Sequence, residues 1–197
     1  MYSLLWLAYP LAVWGGLALS GPRAAGALVL AALAGRTLLL WRRAEPAAWR
    51  RLLAPVAAAG LPAVLAMGLD DPLLLLFVPS LVSLGLLFAF ARTLRRGPPL
   101  IETVARLSVG ELSPAEVRYC RSVTAVWCAF FTVNALVAAG LALAGSLAVW
   151  ALWTGALSYV AIAVLFAVEL TLRSWRFRHY GKGPGDAFMR RIFPPRA

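Results

Sequence analysis

Six stretches of the chain are each apolar for about the length of a bilayer crossing, and this feature constrains the fold more than any other. They cover residues 2–19, 24–41, 52–69, 73–91, 122–144 and 147–170. A hydrocarbon core of about 30 Å takes roughly 20 residues of helix, so each block is a candidate span. Lipid offers no partner for an unpaired backbone N–H or C=O, which excludes open sheets and leaves helices. The composition agrees: 62% of the 197 residues are hydrophobic, well above the 45–50% of a soluble domain, and the mean hydropathy is +0.80. Pro10, Pro55, Pro62 and Pro79 fall inside blocks, where membrane helices accept proline if neighbouring groups satisfy the freed carbonyls. The first block has no basic segment before it and no convincing small-residue cleavage site near Gly21. It therefore reads as a retained helix rather than a removed leader.

The charges lie between the blocks. There are 19 basic residues against 8 acidic, a balance that in a soluble protein would suggest nucleic acid. Here their placement indicates topology instead. The segments around 42–51, 92–121 and 173–197 hold 4, 6 and 7 basic residues, and Arg36 sits toward the same end of its helix. The opposite turns hold Arg23 alone. Basic residues favour the cytoplasmic side, so the expected topology is N-in and C-in. The expected fold class is an all-α polytopic membrane protein of about six transmembrane helices in a single domain, with an amphipathic interfacial helix between the fourth and fifth. The net positive charge then favours anionic headgroups, and no nucleic-acid partner is expected.

The segment from Gly97 to Leu136 is the most informative. Over 99–109, Leu100, Ile101, Val104, Ala105 and Leu107 are placed on one side, and Glu102, Thr103, Arg106 and Ser108 on the other. That pattern predicts a helix lying on the inner leaflet, supported by Glu102 and Arg106 at i,i+4 and ended by Gly110. Ser113-Pro114-Ala115-Glu116 then reads as a capping box. The fifth span therefore starts near Pro114, and to residue 144 it is about 46 Å long at 1.5 Å per residue. Along it Arg121, Thr124, Trp127 or Cys128, Phe131 and Asn134 form one stripe. Asn134, near mid-span, reads either as interhelical glue or as a lining residue of a lipid groove.

Candidate functional or lipid-facing residues are Arg36, Glu102, Arg106, Arg121, Trp127, Asn134 and Glu169. Ionisable groups at membrane depth are functional suspects, but Arg36 and Glu169 both lie near the cytoplasmic end and can snorkel. Glu169 has Arg173 or Arg36 as expected partners. Trp41, Trp150, Trp153 and Trp175 near span ends read as interface anchors. Cys120 and Cys128 are eight residues apart on one helix, about 12 Å, so they cannot bond to each other. His179 is the single histidine and lies in the tail, and the only aspartates are Asp70, Asp71 and Asp186. Asp70 and Asp71, before Pro72, read as a helix terminus. No serine–histidine pair within the membrane, aspartate-rich repeat or glycine-rich phosphate loop is present. No catalytic set, cofactor or metal is therefore expected, and the balance leans away from an enzyme.

Four runs carry a likeness to known proteins: AYPLAVW, PSLVSLGLLFAFARTLRRGPPLIETVARL, RYCRSVTAVWCAFFTVNALVA and LWTGALSYVAIAVLFAVELTLR. Together they resemble a family of small bacterial inner-membrane proteins. That family is associated with fatty-acid-like and aryl polyene (xanthomonadin-type) synthesis enzymes, acyltransferases and a lipid exporter. A more distant likeness, through PLI and the Trp-x-x-Phe-Phe pattern followed by Asn134, is to intracellular septation protein A. The resemblance implies a cell-envelope context in which lipid-linked products are handled at the inner leaflet, and within it the chain reads as a non-catalytic accessory protein of the bacterial inner membrane. Such a protein would support synthesis or export of an envelope lipid or polyene at the cytoplasmic leaflet. The alternatives are a septation or envelope-organisation protein, and a small lipid-modifying enzyme or transporter. The implied partners are membrane lipids and an acyl carrier protein, lipid-synthesis enzymes or an exporter. Arg92, Arg95, Arg96, Arg106, Arg118 and Arg121 would face headgroups or an acidic carrier.

Overall fold

A computed structural model of the protein describes residues 4–41, 60–181 and 184–194. It is 86% helical with no strand among the described residues, so most backbone polar groups are satisfied within their own segments, as hydrocarbon requires. In chain order the elements are α1 (Leu4–Ser20), α2 (Pro22–Trp41), α3 (Gly60–Leu69), α4 (Leu73–Leu76), α5 (Val78–Arg95), α6 (Leu100–Val109), α7 (Pro114–Leu143), α8 (Leu147–Leu152), a π-helical turn Trp153–Leu157, α9 (Ser158–Phe177) and α10 (Pro184–Ile192). Among the described residues, three segments are long and apolar enough to cross a membrane: Leu73–Arg95, Pro114–Leu143 and Leu147–Phe177. Pro22–Gly35 and Gly60–Leu69 are apolar but shorter. Residues 52–59 of the third expected span, with Pro55, lie outside the described residues.

The chain divides into two compact units, and each of the three long segments contributes residues to both. The first unit comprises Met1–Val82 and Asn134–Tyr159. Its core joins Tyr9, Val13, Ala25, Val29, Ala63, Ala66, Leu75, Val78 and Trp150. α1 packs on α2, α8 and the π turn. The α1–α2 approach is close because Gly16 has no side chain: a Cβ there would lie 2.4 Å from the Ala25 Cα. Small residues at such crossings let membrane helices gain dispersion energy. Gly16→Val is therefore expected to destabilise the protein by about 1–3 kcal/mol or more, because the clash is with backbone that cannot swing away. Gly15→Val, with open space around it, serves as the control. Chemical unfolding of both variants in detergent checks this, and equal losses would refute it.

The α4–α5 junction shows how this unit tolerates an interrupted helix. Pro79 has no N–H for the Leu75 carbonyl. The Tyr9 hydroxyl donates to that carbonyl at 2.9 Å, and the Trp150 indole N–H donates to the Leu76 carbonyl at 3.0 Å. Before the junction, Asp70 takes a left-handed conformation (φ 55°) at the end of α3. Asp71 Oδ1 accepts the Leu73 N–H at 2.8 Å. The aspartate pair therefore ends one helix and opens the next, as its position before Pro72 suggests. Trp150 corrects an expectation: it is fully buried, not an interface anchor. Its ring fills the core and its N–H serves the broken helix. Trp175 is exposed, and the Trp41 side chain lies outside the described residues.

The second unit comprises Ser83–Val133 and Val160–Ala197. Val123, Trp127 and Phe131 on α7 form its core, with Leu87, Phe90, Ile101, Phe130, Ile162 and Leu165 packed around them. The ring pairs are tilted or edge-on, as in Phe90–Phe131 at 5.2 Å and Trp127–Phe130 at 5.9 Å, the geometry aromatic quadrupoles favour. The capping box forms as its spacing predicts. The Ser113 N–H donates to Glu116 Oε2 at 2.8 Å and the Glu116 N–H to Ser113 Oγ at 3.3 Å. α6 ends at Gly110 (φ 79°). The tail folds back on itself: the Gly181 N–H donates to Asp186 Oδ2 at 3.1 Å, Arg190 donates to the Gly181 carbonyl at 3.2 Å, and the Tyr180 hydroxyl donates to the Phe193 carbonyl.

Glu102 departs from the sequence expectation for α6. It is buried together with Ala105, while Val104 and Leu107, on the side expected toward the leaflet, are 53% and 84% exposed. Ile101 reaches the aromatic core, which rotates Glu102 inward. Arg106 offsets the buried charge by donating through Nε and Nη2 to Glu102 Oε1 at 2.9 and 2.8 Å.

Candidate functional site

The second unit contains a half-open cavity of about 310 Å³ between α6, α7 and α9. Two helices build it with the same spacing. From α6 come Ile101, Val104, Ala105 and Ser108; from α9 come Phe166, Glu169, Leu170 and Arg173. Both sets run i, i+3, i+4, i+7, which places each on one helical face. Ala167 adds to the α9 wall, and Cys120 of α7 closes the back. Behind Phe166 lies the aromatic core, with the Trp127 ring 4.7 Å from the Phe166 ring.

The polar part of the lining is small and internally paired. Arg173 Nε lies 3.4 Å from Glu169 Oε1, and its Nη2 lies 3.5 Å from Asp186 Oδ1 on α10. One guanidinium is thus placed between two carboxylates, all three side chains mostly shielded from water. The backbone carbonyl of Glu169 accepts the Tyr119 hydroxyl at 3.4 Å. The Ser108 hydroxyl points back to the Val104 carbonyl at 3.4 Å.

A smaller hollow adjoins this one, lined in part by Glu116, Tyr119, Cys120, Phe177 and His179. His179 Nδ1 lies 2.9 Å from Glu116 Oε1. With the capping bond to the Ser113 N–H on Oε2, both oxygens of Glu116 are engaged. The carboxylate opens α7 and holds the tail against it.

The sequence candidates do not converge on one point. Glu169 lines the cavity, and its partner is Arg173, one of the two expected. Glu102 and Arg106 are taken up with each other. Arg121 donates to the Leu94 carbonyl at 3.0 Å, where the end of α5 leaves carbonyls without intrahelical partners, so it caps a helix. Trp127 is buried in the aromatic core, and its indole N–H has no acceptor among the described residues. Asn134 belongs to the first unit, where its Oδ1 accepts the Trp153 indole N–H at 3.1 Å at the start of the π turn. The Arg36 side chain lies outside the described residues. Arg92, Arg95, Arg96 and Arg118 are exposed. Cys120 and Cys128 are free thiols. No cluster of three or more His, Cys, Asp or Glu placed to hold a metal ion occurs among the described residues.

Sequence reasoning missed the cavity as a unit. The signal was available in the spacing shared by residues 101–108 and 166–173, but apolar residues at that spacing also describe an ordinary packed face. The chain matches no family profile, no curated protein and no solved structure.

Proposed function

We propose that the protein is a six-span bacterial inner-membrane protein, N-in and C-in, that supports synthesis or export of an envelope lipid or polyene without catalysing a step itself. The cavity between α6, α7 and α9 holds the lipid chain. The observation that carries this reading is the cavity itself: about 310 Å³ of largely apolar recess, with Glu169 and Arg173 on one wall. The size falls at the lower end of small-molecule sites, roughly 300–1,000 Å³. Its α7 and α9 walls belong to segments of membrane composition. The asymmetry in basic residues supports the topology, and the resemblance to proteins associated with aryl polyene synthesis supports the pathway class. Exposed Arg92, Arg95, Arg96 and Arg118 supply a surface suited to an acidic carrier protein or anionic headgroups.

Mass-spectrometric profiling of lipids and pigments from a deletion strain tests the reading. Wild type and Ala167→Trp are supplied in trans. Ala167 is exposed on the cavity wall, so the larger ring occupies the recess without displacing a packed neighbour. One lipid or pigment class is expected to fall in the deletion, to return with wild type, and to stay at least about tenfold reduced with Ala167→Trp. An unchanged profile would end this reading, and a changed cell length or shape would then favour the septation alternative.

A further inference from the structure

The cavity wall carries one cation and one carboxylate, with a second carboxylate behind the cation, which bears on the polar end of whatever chain it takes. Among the described residues Arg173 is the basic residue of the lining and Glu169 the acidic one, and Asp186 backs Arg173 from outside the lining. The charge of Arg173 is offset twice, by Asp186 of α10 at 3.5 Å from its Nη2 and by Glu169 at 3.4 Å from its Nε, while its Nε–H is buried without a hydrogen-bond partner among the described residues and so remains a donor for a neutral acceptor. Asp186 is itself held in place by the Gly181 N–H and is buried, so its charge stays in the cluster. A carboxylate or phosphate head entering here would make three acidic groups around one guanidinium. In a recess shielded from water, an added like charge is costly. A head that donates a hydrogen bond meets Glu169 favourably, and a hydroxyl can in addition accept from Arg173.

From this we infer that the cavity selects a single-chain lipid, drawn from the leaflet, whose head is an uncharged or cationic hydrogen-bond donor, an alcohol or amine rather than a free acid or phosphate ester. The inference rests on the reading of the cavity as a lipid-chain site. It is counter to the overall charge of the chain, which has 19 basic residues against 8 acidic and would suggest an anionic ligand. The exposed arginines and the cavity therefore have different roles, the first toward headgroups or an acidic partner and the second toward a non-anionic head. The volume limits the chain as well: at roughly 30 Å³ for a water-sized group, 310 Å³ holds about ten such groups. A dodecyl chain fills this space and leaves its last carbons and head at the open side, which makes it a fair probe.

The test uses the full-length protein purified in a steroid-based detergent, which has no alkyl chain to compete, with bound amphiphile read by native mass spectrometry. The probes are dodecanol, dodecylamine, dodecanoate and dodecyl phosphate at equal concentration. Dodecanol and dodecylamine are expected to be retained at least about tenfold better than the two anions. Glu169→Gln, which keeps the shape and removes the charge, is expected to bring dodecylamine down to the level of dodecanol or below. Ala167→Trp is expected to abolish retention of all four. Retention of dodecanoate or dodecyl phosphate equal to or above that of the alcohol would overturn the head-group inference and leave the chain site standing. Retention of none of the four by the wild type, or equal retention by Ala167→Trp, would overturn the chain site and the inference with it.

Discussion

Trp150→Ala is expected to destabilise the protein by about 3–5 kcal/mol, the range for removing a buried large aromatic side chain. The residue is fully buried at the centre of the first unit's core. Its loss also removes the donor to the Leu76 carbonyl, beside a break where Pro79 already withholds a donor from Leu75. In hydrocarbon no water replaces it. Trp150→Phe separates the two effects: it keeps most of the ring and leaves the carbonyl orphaned, at about 1–3 kcal/mol. Unfolding by a denaturing detergent in mixed micelles measures both. A loss for Trp150→Ala within about 0.5 kcal/mol of wild type, as for a surface substitution, would show that the ring is not packed as described.

The second large effect is expected at Arg173. Arg173→Met removes the one cation between Glu169 and Asp186 and keeps much of the apolar stem. Breaking a fully buried ion pair costs about 3–5 kcal/mol. Arg173 keeps 21% of its side chain exposed, so water screens part of this and about 2–3 kcal/mol is expected. The triple variant Arg173→Met, Glu169→Gln, Asp186→Asn is expected to recover most of the loss, because no uncompensated charge then remains. The same unfolding measurement decides it. A triple variant no more stable than Arg173→Met alone would show that Arg173 acts through packing rather than charge.

The parts legible in the sequence are those fixed by short-range patterns. The capping box at Ser113 and Glu116, the Glu102–Arg106 pair, the stop at Gly110 and the helix start near Pro114 all depend on residues within four positions of each other. Local chemistry decides such features whatever the rest of the chain does. Expectations that depended on which way a helix turns were less secure. Glu102 was placed on the outer polar side and is buried, because Ile101 is drawn into the Trp127–Phe131 core. Trp150 was placed at the interface by its position near a span end, yet its indole serves a broken helix more than seventy positions earlier in the chain. His179 was read as an isolated tail residue and pairs with Glu116 across 63 positions.

The candidate site divides along the same line. Glu169 was singled out from its depth in an apolar helix, and Arg173 as its partner at i+4 follows from spacing alone. The second carboxylate on Arg173 comes from Asp186, on a helix that reaches it only because the tail folds back through Gly181. Asn134, Trp127 and Arg121 formed one stripe on paper. In the folded protein they serve a π turn, an aromatic core and a helix end.

By itself, the sequence determined that this is a helical chain of membrane composition, and where its helices start and stop at Ser113 and Gly110. Those properties follow from hydrophobic length and capping chemistry, both local or additive along the chain. Only the tertiary structure decided that the faces of α6 and α9 enclose a cavity, that its single guanidinium stands between two carboxylates, and that Tyr9 and Trp150 complete an interrupted helix. These arise from packing, which brings distant residues together by shape and by the need to satisfy every buried polar group, and one-dimensional spacing does not encode that.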